Sequence, residues 1–271
     1  MALRMRHDLA RLLPELRFEP VVQRIRVAYD GQVVADTTEA LLVWEPRHVV
    51  PSYAVPRRSL AAEVVLRHHT PGDLSGLPPV ITPDHPPTHP TAGQLATLRI
   101  GDTELPEVGF VADDPDLAEH VILTWQPFTW TEEEVSVVGH PHDPYQRIDV
   151  LASSRHVVVS LDGTVLADSV RPMLLLETRL PPRWYLPRED VATDLLEPSD
   201  HHTTCAYKGV ASYLSVRGNE RGRDLAWYYP DPRHDAAPVR DLVCFWSERS
   251  DLELDGVALP RAASVFSGDR P

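Results

Sequence analysis

Apolar and polar positions alternate along Arg24–Tyr29, break at Asp30-Gly31 and resume on the far side, and the same pattern returns over 157–161 with Asp162-Gly163 behind it. Alternation with period two, interrupted by a pair that tolerates positive φ at both positions, predicts two strands joined by a tight type I′ hairpin. Each hairpin leads into a further apolar run that ends in a carboxylate, Glu45 or Glu177, then into a proline-rich loop and a short helix-like segment near Arg57 or Arg188. Leucines at 9, 12, 13 and 16 have helical spacing, so residues 1–20 are expected to form an amphipathic extension rather than a signal peptide.

The recurrence extends along the chain. Segment 26–45 lies over 159–177, with Asp30 and Asp162, Ala35 and Ala167, Asp36 and Asp168, and Glu45 and Glu177 all 132 positions apart. Tyr53 and Tyr185 keep that spacing. One residue gained or lost then aligns Pro56-Arg57 with Pro187-Arg188, and His68-His69-Thr70 falls over His201-His202-Thr203. Later matches are Gly93 with Gly209, Leu98 with Leu214, and Asp114-Pro115 with Asp231-Pro232. Such self-similarity predicts two tandem copies of one small domain. Short strands, frequent turns and 27 prolines make the fold class mainly β with brief helices. The expected division is a first domain over 21–138, a linker over 139–147, a second domain over 148–260 and a tail over 261–271. The copies differ in one stretch. From His69 to Gly93 there are 24 steps, but from His202 to Gly209 only 7, so a loop over 71–92 in the first copy stands where the second has TCAYKG.

Composition sharpens this picture. With 40 acidic residues against 26 basic ones, the net charge of -14 repels a phosphate backbone, and nucleic acid is not an expected partner. Apolar runs such as MLLL at 173–176 are too short to cross a bilayer, so no membrane partner is expected, and only two cysteines, with no disulfide framework, make a reducing cytoplasm the default compartment. Two cysteines, Cys205 and Cys244, make neither a disulfide framework nor a closed zinc site, and adjacent histidines on a strand point to opposite faces; no metal and no cofactor is expected. Among the 26 basic residues a single one, Lys208, is lysine.

The Asp-Gly hairpin, the strand ending in Glu, the Tyr-x-Pro-Arg turn, Thr-x-Cys-x-Tyr-Lys-Gly, Ala-Trp-x-Tyr-x-Asp-Pro and a late Cys-Phe-Trp strand together resemble the DUF427 family, also labelled "nucleotidyltransferase domain of unknown function". The tandem arrangement is similar to that of two-domain actinobacterial members. The resemblance covers nearly the whole chain, is most specific over 155–258, and implies small domains akin to the β-tent fold. It implies no established activity. Neither a Gly-Ser followed by Asp-x-Asp nor a phosphate loop is present to support the transferase label.

Candidate chemistry gathers in the second copy. A desolvated lysine can lose its proton and act as a base or form a Schiff base, which arginine cannot, so Lys208 is the first candidate. Cys205 lies three residues before it, where an ammonium favours a reactive thiolate, and Glu177 would orient the amine. Tyr185, Arg188, Thr204 and Tyr207, with Tyr213, Trp227 and Asp231, are expected to line a small-molecule pocket around these three, and Tyr229 beside them. The plainer structural reading makes Lys208 a point-charge anchor paired with Glu177 and Cys205 a small core residue. In the alternative functional reading the chain is an interaction module whose 71–92 loop holds a partner peptide. Under the first reading Lys208→Arg abolishes ligand binding with little change in melting temperature; under the alternative it destabilises the domain or does nothing.

Overall fold

The computed structural model describes residues 11–72, 78–83, 85–264 and 267. The chain divides into two compact units, Met1–Asp143 and Pro144–Pro271. The first unit contains β1 (Arg17–Pro20), β2 (Ile25–Tyr29), β3 (Gln32–Thr37), β4 (Leu41–Trp44), β5 (Ser52–Pro56), β6 (Glu63–His69), β7 (Gly93–Ile100), β8 (Thr103–Ala112), β9 (His120–Leu123), β10 (Thr129–Glu132) and β11 (Val135–Val137). The second contains β12 (Ile148–Ala152), β13 (Val157–Leu161), β14 (Thr164–Ser169), β15 (Met173–Glu177), β16 (Arg183–Leu186), β17 (Leu196–Cys205), β18 (Gly209–Val216), β19 (Ala226–Tyr228), β20 (Val243–Phe245), β21 (Asp251–Leu254) and β22 (Val257–Leu259).

Each unit has a seven-stranded and a four-stranded antiparallel sheet. The orders are β1-β4-β5-β9-β8-β7-β6 and β11-β10-β2-β3 in the first, β12-β15-β16-β20-β19-β18-β17 and β22-β21-β13-β14 in the second. Adding eleven to every strand number of the first unit reproduces the second. The agreement reaches the backbone. Asp30 and Gly31 have φ of 46° and 77°, Asp162 and Gly163 of 49° and 80°, as a two-residue type I′ turn requires. Both hairpins bulge at matching places, after Val27 and after Val159.

Alternation along the strands sorts side chains to the two faces of each large sheet. In the first unit Leu42, Trp44, Tyr53 and Val55 face Ile25, Val27 and Trp130 of the small sheet, whereas Leu41, Val43, Ala54, Phe110 and Ile122 form a separate cluster on the other face. In the second unit Trp184 and Leu186 pack against Val157 and Val159, while Leu175, Tyr185, Tyr213, Trp227 and Cys244 occupy the other face. Fully burying a large apolar side chain contributes about 1.5–3 kcal/mol, so each unit has its own stabilising core.

Two expectations need correction. The helical extension over 1–20 does not hold at its end: residues 11–14 form turns and Arg17–Pro20 is a strand paired with β4, which brings it into the first unit; residues 1–10 lie outside the described residues. Tyr53 and Tyr185 are not equivalent either. Leu41 pairs with Ala54 and Met173 with Tyr185, so Ala54 occupies the place of Tyr185 and Tyr53 that of Trp184. The one-residue difference falls before the tyrosines, not after them, and a slip of one residue moves a side chain to the opposite face.

Candidate functional site

Lys208 sits in the hairpin Ala206–Lys208 between β17 and β18. Gly209 follows it with φ of 94°, in the left-handed range that favours glycine, and a Cβ there would meet the Asp231 carbonyl oxygen at 3.1 Å. The Arg233 amide donates to the Lys208 carbonyl oxygen at 3.1 Å, fastening the hairpin to the segment after β19. These constraints direct the lysine side chain back over the sheet, where its Nζ donates to Glu177 Oε2 at the end of β15. Gln146 Nε2 donates to the other oxygen, Oε1, at 2.9 Å. Both members of the ion pair are buried, with side chains 10% and 7% exposed.

Around this pair runs a row of cross-strand neighbours. Tyr185 lies opposite Cys244, Cys244 opposite Trp227, and Trp227 opposite Tyr213, across β16, β20, β19 and β18. Trp227 Nε1 donates to the Tyr185 hydroxyl at 3.1 Å, with the rings perpendicular at 6.3 Å. Tyr213 Oη and Thr203 Oγ1 share a hydrogen bond of 3.1 Å. The corresponding row of the first unit reads Ala54, Ile122, Phe110, Leu95. This row is thus apolar in one copy and rich in hydroxyl and indole groups in the other.

Burial sets the electrostatics. Desolvation pushes the Lys208 amine down, but the Glu177 carboxylate, with Cys205 and Tyr185 adding to it, outweighs that effect and holds the amine above its ordinary value. Desolvation raises Tyr185 and Tyr229 well above the usual phenol range and pushes the Cys244 thiol up to about 12. At neutral pH the cluster therefore offers an ammonium and neutral phenols, all donors, and the Cys244 thiol is inert.

Sequence reasoning missed one component. Arg183, also on β16 and on the same face as Tyr185, makes a two-pronged pair with Glu248 at 2.6 and 2.7 Å, and its guanidinium lies 5.5 Å from the Trp227 ring and 4.9 Å from Trp246. Its alternation with Tyr185 was the signal available. The fit with the expected site is selective. Lys208, Glu177, Tyr185, Tyr213, Trp227 and Tyr229 come together, and Cys205, half-buried, closes β17 beside them. Tyr207 is buried within the hairpin. Three others turn away. Thr204 is exposed, as alternation dictates for the neighbour of Thr203; the Asp231 carboxylate is exposed and paired with Arg240 at 3.0 Å; and Arg188 lies over Tyr228 and donates to the Asp241 carbonyl oxygen. Several of the residues expected to line the pocket are packed against one another, with Tyr185 1% and Trp227 6% exposed. His201 lies against Tyr213 and His202 bonds the Asp200 carbonyl oxygen; among the described residues no three His, Cys, Asp or Glu side chains are grouped to hold a metal ion.

Two stretches of the chain, 17–72 and 149–256, match a family described as "Domain of unknown function (DUF427)". The first match ends where the long loop of the first unit begins; the second covers nearly all of β12–β21. No curated protein matches the chain. Matched over more than half its length, in two stretches that fall on the two copies of one topology, the chain belongs to the DUF427 family.

Proposed function

We propose that the second unit binds a small molecule through Lys208 and that the amine works as a fixed cation, not as a nucleophile. The observation that supports this reading is the buried Lys208–Glu177 pair set among Tyr185, Tyr229 and Trp227, beside a row whose first-unit counterpart, Ala54, Ile122, Phe110 and Leu95, has no polar side chain. An ammonium held above its ordinary value neither abstracts a proton nor forms a Schiff base near neutral pH; it attracts an anionic oxygen or polarises a carbonyl. Glu177 fixes its position, and the phenols of Tyr185 and Tyr229 stay protonated, as oxygen-binding donors must. Cys205, half-buried at the end of β17, adds a thiol beside the amine.

The single ε-amine makes the test direct. Labelling of Lys208 by an amine-reactive probe, read from the mass of its peptide across pH, should remain negligible up to about pH 10, the ordinary lysine value. Appreciable labelling near pH 8 would overturn the fixed-cation reading. Thermal shift screening with small carboxylates, phosphates and carbonyl compounds should find ligands that stabilise the native chain and lose their effect in Lys208→Arg. The interaction-module alternative has less support, because described residues of the 71–92 loop bond to their own unit: Ile81 bridges His48, and the His48 Nε2 bonds the Thr88 carbonyl oxygen.

A further inference from the structure

The long connection of the first unit places a histidine as a ligand would be placed. The His89 ring lies 4.1 Å from Phe110 and 11° from parallel to it. Its Nδ1 is 3.1 and 3.0 Å from the two oxygens of Glu45, and because a carboxylate accepts, Nδ1 carries the proton. The His69 ring stands perpendicular to Phe110 at 5.7 Å and its Nε2 donates to the His89 carbonyl oxygen at 3.0 Å. On the same face of this sheet, Ala54 occupies the register position that Tyr185 fills in the second unit. Glu45, 3% exposed, is the counterpart of Glu177, so the two copies place a buried carboxylate at the same point and meet it with different nitrogen groups.

The fit of the histidine is incomplete. The His89 side chain is 9% exposed, yet its Nε2 is buried with no hydrogen-bond partner among the described residues, and Thr91 Oγ1 two residues on is in the same condition. A core built around this imidazole alone would satisfy both atoms. A stacking face, an aromatic edge and a buried carboxylate receiving ring N–H groups together form a recognition set for planar, N–H-bearing rings.

We propose that Glu45, Phe110 and His69 form a binding site in the first unit for a planar nitrogen heterocycle with N–H donors on one edge, and that His89 occupies it as an internal competitor. Two features of the heterocycle follow. It presents two adjacent N–H groups, one for each Glu45 oxygen, where imidazole offers a single N–H to both. It also carries a polar atom on the far edge, where the Nε2 of His89 lies buried without a partner among the described residues.

The test uses the full chain, with imidazole and 2-aminoimidazole as probes, followed by calorimetry. His89→Ala should bind both, 2-aminoimidazole more tightly, and Glu45→Gln in that background should abolish binding. The wild-type chain should bind 2-aminoimidazole about tenfold or more weakly than His89→Ala, because His89 leaves the site only part of the time. Wild-type binding should also shift the His89 imidazole resonance, which a ligand seated elsewhere would not do. Absence of saturable wild-type binding at any concentration would overturn the proposal, leaving His89 as a core residue. So would binding to a folded His89→Ala that is indifferent to Glu45→Gln. If His89→Ala fails to fold, the wild-type titration decides alone.

Discussion

Lys208 and His89 show what one position asks of a side chain. Each supplies a nitrogen donor to a buried carboxylate at the end of an equivalent strand, Glu177 or Glu45. Removing one partner of a buried pair strands the other, at a cost of about 3–5 kcal/mol, so Lys208→Ala should lower the stability of the second unit by that order in denaturant unfolding. Lys208→Ala combined with Glu177→Leu should recover part of the loss, since no charge is then left buried without a partner. A smaller effect belongs to Tyr185→Phe, which deprives the Trp227 indole of its acceptor and should cost about 1–3 kcal/mol in the same assay. Lys208 was legible in the sequence because it is the one lysine, and Glu177 because the repeat aligns it. The role of His89 was not. Its contact with Glu45 spans 44 residues and depends on how a proline-rich connection returns to the sheet, which no local pattern encodes.

At the level of strands and hairpins, the sequence disclosed most of the fold. The Asp-Gly turns and the alternating strands appear where the pattern put them, because turn chemistry and period-two burial are local, whereas Gly93 and Gly209 are not equivalent: Leu95 answers to Tyr213, which sets Gly93 against Ala211. Register is not local in that way. The misplaced equivalence of Tyr53 and Tyr185 arose because identical residues were aligned across a one-residue difference, and only the pairing with β4 and β15 shows which face each takes. The exposure of Thr204 and Asp231 went unread for a related reason, since proximity in sequence does not say which way a side chain turns. Two variants probe these elements. Gly209→Ala should destabilise the β17–β18 hairpin by about 1–3 kcal/mol, since φ there is positive and the new Cβ would approach the Asp231 carbonyl oxygen. Ala54→Tyr should overpack the first unit against His89 and Phe110, costing about 1–3 kcal/mol, and the His89 resonance should move.

For the molecule as a whole, the buried groups set a pH limit. Lys208, Tyr185, Tyr229 and Cys244 all hold their protons more tightly folded than unfolded, so the stability they lend is present below the unfolded values and is lost as pH rises. The loss begins near pH 9 with Cys244, whose folded value is about 12, and grows through pH 10 as the phenols and the amine join it. Chemical denaturation followed at pH 7, 9 and 10.5 should show the second unit weakening progressively, and Cys244→Ala should delay the onset. One consequence of the shared topology concerns chain economy. The first and last strands of each unit, β1 and β11, β12 and β22, are edge strands of their sheets. The polypeptide thus enters and leaves each module at a border, where an added or excised copy interrupts no interior ladder, and tandem growth of this fold requires only a linker.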